Sequence, residues 1–226
     1  GIKVGDPTLD LLDDQARETF FSRDPQWPHL LNLFPGGMQV SDDGRLLQPN
    51  FFHLLPDVMA GVATLAGWSG AGVFVLPMAG GLTLVGVWLL TLRLASPVAA
   101  SVAALLLTFN YAQIWYLGYS SSETLTAALV VSGLALLARS SQDGSRSAGA
   151  IGGAAVGLSA CARIDAFVLV SSVVALYLFS LAWRRRWTIA TTWTACMFVV
   201  ATAHATLHAA FVSAPYTQRI LLRAFD

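Results

Sequence analysis

The polar residues that could do chemistry in this sequence are few and widely spaced. Asp6 stands between Gly5 and Pro7, Glu123 follows a run of serines, Arg163 and Asp165 flank Ile164, and His204 and His208 lie four residues apart. A carboxylate can take a proton from a hydroxyl as a general base, and an arginine can hold phosphate oxygens through two parallel hydrogen bonds. Two histidines at that spacing share one helix face and could ligate a metal, but no third ligand stands at a defined spacing from them. Each group also has a plain structural reading. Aspartate before proline is the chemistry of a helix N-cap with proline in the first helical position. Glu123 could cap or begin a helix, where the macrodipole favours an acid, and Arg163 and Asp165 could pair with each other at a helix end.

The surroundings of these residues are what single them out. Of 226 residues, 55% are hydrophobic and 12% charged, and 13 basic side chains balance 13 acidic ones. The mean hydropathy is +0.62. An ordinary soluble domain is about a quarter charged. The charges are also uneven, since half of them fall in the first 57 residues. Such a balance describes an all-α, polytopic transmembrane helical bundle with a polar N-terminal segment. Ionisable groups at the edge of a membrane domain are costly to hold, so they are functional candidates. With zero net charge and no stripe of Lys or Arg, nothing could follow a phosphate backbone, which excludes nucleic acid as a partner. Cys161 and Cys196 lie inside apolar runs and read as small buried side chains rather than a disulfide or metal ligands.

About six spans follow from the apolar runs: 71–94, 97–119, 123–138, 147–162, 166–183 and 187–213. The alternation of six crossings puts Arg93, Arg139, Arg146 and Arg184 to Arg186 on one side, which the positive-inside rule makes cytoplasmic. The N-terminal segment, Glu123, the Arg163/Asp165 pair and the C-terminal tail then share the external side. This divides the chain into an external segment 1–70, a transmembrane domain 71–213 and an external tail 214–226. Gly149, Gly153 and Gly157 share one helix face, where close helix packing accounts for them. Trp183 and Trp187 bracket the arginines, and Trp115, Tyr116 and Tyr119 end their span, as interfacial aromatic belts do.

In the external segment, Leu9, Leu12, Ala16 and Phe20 fall near helical spacing, and the pattern predicts an amphipathic surface helix ending near Arg23-Asp24-Pro25. Pro35-Gly36-Gly37 and Asp42-Asp43-Gly44 are turn signals. A second apolar helix is predicted from near Asn50 to a break at 67–70. The opening Gly1-Ile2-Lys3-Val4-Gly5 is neither a start nor a signal sequence, so the chain reads as a piece of a longer one.

Taken in order, several stretches resemble a GT-C-type glycosyltransferase, the multi-spanning class related to protein O-mannosyltransferases and to transferases that move aminoarabinose or other sugars from polyprenyl phosphate. Gly5-Asp6-Pro7 is similar to the acid that opens the family's first external loop. Pro49-Asn50-Phe51-Phe52-His53-Leu54-Leu55-Pro56 resembles its His/Lys-Pro-Pro-Leu segment, with the double proline split. Phe74-Val75-Leu76-Pro77 and Leu92-Arg93-Leu94 resemble the ends of its Arg-Leu-Pro helix. Asn110 to Trp115 with Ser122-Glu123, and Gly157-Leu158 leading to Arg163-Ile164-Asp165-Ala166, resemble patterns of bacterial members.

The resemblance implies transfer of a sugar from a polyprenyl-phosphate donor to an acceptor hydroxyl on a glycan, lipid or protein at the external face of the membrane. It implies Asp6 as general base, Arg163 on the leaving phosphate with Asp165 orienting it, Glu123 lining the cavity with acceptor or a divalent cation, and His53 at the sugar or phosphate. No other cofactor is expected. Two further readings stand beside it: a carrier or flippase for a lipid or small solute, and a non-catalytic membrane subunit. Twelve Arg against one Lys point to a GC-rich bacterial genome and a bacterial cytoplasmic membrane.

Overall fold

The computed structural model describes residues 4–5, 11, 13, 15, 33–34, 38–40, 46–49, 54–118, 121–183, 186–212 and 217. Two compact units divide the chain, one of Gly1–His53 with Leu207–Asp226 and one of Leu54–Thr206.

Four short strands belong to the first unit: β1 (Val4–Gly5), β2 (Leu33–Phe34), β3 (Met38–Val40) and β4 (Leu46–Pro49). They pair antiparallel in the order β1-β4-β3-β2. The two turn signals of the sequence thus fall between β2 and β3 and between β3 and β4, where hairpin reversals need them. Pro49 ends β4 opposite Met38, while β1 reaches only Leu46 and Leu47, so the missing N–H removes no bond on that side. Surface helices were expected here, and the sheet was not. The helix predicted to end near Arg23 lies, apart from Leu11, Asp13 and Gln15, outside the described residues.

The second unit is helical, as its composition requires. It comprises α1 (Leu54–Ala66), a 3-10 turn (Ser69–Phe74), α2 (Val75–Leu94), α3 (Pro97–Thr108), α4 (Tyr111–Gly118), α5 (Ser122–Asp143), α6 (Arg146–Ser159), α7 (Ile164–Trp183) and α8 (Ile189–Leu207). α1 stops at the predicted break: Gly67 takes φ +67°, its N–H bonds Thr64 O and that of Trp68 bonds Ala63 O, a Schellman ending. α3 starts on Ser96, whose hydroxyl accepts from Ala99 N at 3.2 Å, with Pro97 next.

Four helical stretches are long and apolar enough to cross a membrane: Gly70–Leu94, Ser122–Asp143, Asp165–Trp183 and Ile189–Phe211. α3 and α4 meet at 54° and make a fifth only if the bent pair is one crossing. The predicted second span therefore breaks at Asn110, whose side chain accepts from Gln113 N and starts a new helix instead of continuing the old one. The predicted fourth span is α6, whose 14 residues cover about 21 Å and fall short of a membrane core. α5 runs to Asp143, past the predicted end at Ala138, and Gly144 at φ +68° closes it.

Packing follows membrane rules rather than those of a soluble core. On α2 the small residues Ala79, Gly80, Thr83 and Gly86 are buried, while Met78, Leu82, Val85 and Trp88 face outward. The predicted glycine face of α6 lies on α8. A Cβ at Gly149 would sit 2.8 Å from Ala190 O, one at Gly157 2.9 Å from Phe198 O, and one at Gly153 would collide with Thr194 O. Backbone stands in the way, so no rotamer relieves it. Gly153→Leu should lower stability by about 1–3 kcal/mol or more, read as a falling thermal midpoint in detergent. A midpoint equal to wild type would contradict this helix contact.

Candidate functional site

Two ion-pair clusters mark opposite ends of the helical unit. At one, Arg93 Nη2 meets Asp143 Oδ2 at 3.2 Å, Arg93 Nη1 donates to Gln142 Oε1 at 3.0 Å, and Gln142 Nε2 donates to Arg93 O at 3.2 Å. This joins the C-termini of α2 and α5, so the two helices run the same way and the α3–α4 pair is the return path. Arg139 and Arg146 belong to this end, and α6 then carries the chain back.

At the other end, α5 begins with Ser122-Glu123 and α7 with Ile164-Asp165, and Arg163 stands between the two acids. Its Nε donates to Asp165 Oδ1 at 2.8 Å and its Nη2 to Asp165 Oδ2 at 3.0 Å, a two-pronged contact, while Nη1 donates to Glu123 Oε1. Three steps of local structure put them there. Ser159 Oγ bonds Val156 O at 2.7 Å as α6 ends, and tight turns through buried Ala160, Cys161 and Ala162 bring the chain round to Arg163. Both acids sit in the first turn of their helices, where the positive end of the dipole favours them. Ala166 N adds a hydrogen bond to Asp165 Oδ1 at 3.0 Å. The helix-start reading of Glu123 and the pairing of Arg163 with Asp165 are thus both realised.

The side chains of Arg163 and Glu123 are 32% and 33% exposed, and that of Asp165 is 54% exposed. The hydrogen bond to Asp165 raises the Arg163 pKa most, burial opposes it, and the charges of Glu123 and Asp165 raise it further, so it lies well above the ordinary arginine value. Arg163 is a permanent cation, and the cluster holds one cation between two anions. Asp165 uses Nε and one N–H of Nη2, and Glu123 one N–H of Nη1. Among the described residues, one N–H on each terminal nitrogen has no acceptor, and each can donate to an oxygen ligand.

α1 closes over this end. Leu54 packs against Ala160, Cys161 and Ala205, and Leu55 joins Val75, Leu76 and Leu125 in a buried cluster. Thr124 Oγ1 donates to Tyr116 O at 3.2 Å, which ties α4 to the start of α5. Burial pushes the Cys161 thiol up, and the residue is buried as its apolar run implied. Cys196 differs: it is exposed on α8, because the inward face there is taken by Thr194, Phe198 and Ala201.

Of the five predicted site residues, Glu123, Arg163 and Asp165 come together, while Asp6 and His53 lie outside the described residues. Among the described residues no group of three or more His, Cys, Asp or Glu could hold a metal. The bond between Arg163 and Glu123 joins residues forty positions apart, and no local spacing signals it. The chain matches no family model, and neither curated proteins nor solved structures contain a match to it.

Proposed function

We propose that this chain is part of a multi-spanning membrane glycosyltransferase that moves a sugar from a polyprenyl-phosphate donor to an acceptor hydroxyl on the external face of the membrane. The observation that carries the reading is the Glu123–Arg163–Asp165 cluster at the end of the helical unit remote from Arg93, Arg139 and Arg146. By the positive-inside rule the arginine-rich end is cytoplasmic and the cluster external. The resemblance of Gly5-Asp6-Pro7, the segment 49–56 and the segment 157–166 to GT-C enzymes supports the same assignment.

In this reading the four long helices and the bent pair cross the membrane, and α6, too short to span it alone, returns the chain to the external side with the turn after Ser159 completing its path, which sets the N-terminal segment outside. The leaving phosphate gains negative charge as the glycosidic bond breaks, and a preorganised cation lowers that barrier. Asp165 holds the guanidinium fork from one edge, so the free N–H bonds of Arg163 meet phosphate oxygens. Glu123 shares Nη1 and yields part of that contact when phosphate arrives, remaining to line the acceptor side. Asp6 takes the acceptor proton, and His53 contacts the sugar or phosphate.

The break between α3 and α4 favours a carrier as the second reading, because interrupted helices line substrate sites in transporters. Full-length protein in liposomes, given a polyprenyl-phosphate sugar and an acceptor, separates the two. A transferase releases free polyprenyl phosphate in step with glycosylated acceptor. Movement of intact donor between leaflets with no release would sink the transferase reading.

A further inference from the structure

We propose that Trp68 and Phe74 form an interfacial anchor: at the end of the helical unit remote from Arg93 their rings lie in the glycerol-ester layer of the bilayer, where the Trp68 indole N–H donates to lipid oxygens. The anchor rests on the chain crossing a membrane and not on the transferase reading.

The pair stands where α1 gives way to the first long span. Gly67 ends α1, Trp68 follows in extended backbone, and the 3-10 turn leads directly into α2. Gly70 lets the indole fold back over the chain, since a Cβ there would stand 2.5 Å from Trp68 Cζ2. The ring comes to rest beside Phe74, with centroids 6.1 Å apart and planes tilted by 53°, within the range of attractive aromatic pairs. On its inner side the turn meets α1 backbone to backbone, because a Cβ at Gly72 would sit 2.9 Å from Met59 O. Ala71 and Gly72 are buried there, and Val73 and Phe74 face outward.

What covers the rings follows from the surface they continue. Trp68 and Phe74 are 58% and 52% exposed, and Phe74 heads a line of outward apolar side chains at helical spacing, Met78, Leu82 and Val85. That line lies on the span Gly70–Leu94, whose outward face hydrocarbon covers when it crosses a membrane. Between Asp57 and Arg93 no residue carries a charge, so nothing draws this rim into water. Hydrocarbon alone does not suit it either. The indole N–H makes no hydrogen bond with any described residue, and an unmet donor is costly in an apolar medium. The ester layer answers both needs, with apolar surroundings for the ring faces and acceptors for the N–H, which is why tryptophan collects there. The anchor also sets a depth. Leu125 packs with Val75, the neighbour of Phe74, and Glu123 precedes Leu125 by two residues, so the Glu123–Arg163–Asp165 cluster opens at the level of the lipid headgroups.

Fluorescence quenching of the full-length protein in nanodiscs, with phosphatidylcholine brominated either high or low on the acyl chain, tests this. The Trp68 share of the emission is that of wild type less that of Trp68→Phe, which keeps an aromatic ring in place. This share should be lost chiefly to bromine near the ester, less to bromine near the chain end, and little to iodide in the buffer. Leu82→Trp on a Trp68→Phe background gives a reference two turns or about 12 Å deeper on the same outward line, and its added emission should be lost chiefly to bromine near the chain end. If it does not fold, Val85→Trp takes its place. Loss of the Trp68 share to iodide would put the pair in water and overturn the proposal, and loss chiefly to bromine near the chain end would put it in the hydrocarbon and do the same. A share lost to no quencher would place the rings under protein, such as a second copy of the chain, and overturn it equally. If iodide quenches the reference as well, the crossing itself fails, and the anchor falls with it.

Discussion

Arg163→Ala should cost the helical unit about 2–3 kcal/mol of stability and reduce sugar transfer by more than about a hundredfold. The stability loss comes from what remains. Glu123 and Asp165 stay at the starts of α5 and α7, both facing the gap left by a cation that had bonded each of them. A fully buried pair broken in this way costs about 3–5 kcal/mol, and partial exposure of this cluster to water lowers the figure. Removing the carboxylate as well should return part of the loss, so the cost of Arg163→Ala is expected to be smaller on a Glu123→Gln background. A coupling of about 0.5–3 kcal/mol between the two positions is the signature of direct contact. Arg163→Lys keeps the charge but cannot fork onto Asp165 and still reach Glu123, so it should recover less than half of the stability and little transfer. Additive losses at 123 and 163 would mean that the two side chains do not meet.

Asp6→Asn carries the second large effect. Asparagine caps a helix about as well as aspartate does, so the substitution leaves a structural role of Asp6-Pro7 intact while removing a base. If Asp6 takes the acceptor proton in the proposed transfer, turnover by the full-length protein should fall by about 10²–10⁴-fold with little change in donor affinity or melting temperature. Wild-type turnover in Asp6→Asn would return Asp6 to capping and leave the base unassigned. Asp6→Ala serves as the counterpart, since it removes both roles and should add a loss of stability of about 1 kcal/mol if the cap exists.

What could be read in the sequence was what depends on local pattern. The apolar runs around α2, α5, α7 and α8 identified those helices, since a residue-by-residue excess of hydrocarbon needs no tertiary information. Gly149, Gly153 and Gly157 announced a close contact, and the α6–α8 interface supplies it. Local pattern failed where a short side chain or a distant partner decides. Asn110 breaks an apolar run that reads as continuous because one Asn oxygen accepts from the backbone of Gln113. Ser140 to Asp143 fall between the predicted spans 123–138 and 147–162, yet they remain helical: Gly144 supplies the left-handed ending, and Gln142 and Asp143 bond Arg93 about fifty residues away. The strands of the first unit are two to four residues long, too short for alternation to register. At the site, Arg163 and Asp165 were legible as neighbours. Glu123 joins them only through the fold of α5 and α6.

The measurement that bears most directly on the account is the lipid content of the detergent-purified full-length protein, wild type against Arg163→Ala, after incubation with excess polyprenyl phosphate. Wild type should carry stoichiometric polyprenyl phosphate, and the variant should lose it. Wild-type protein that binds none, or a variant that binds as much as wild type, would contradict a donor phosphate at Arg163.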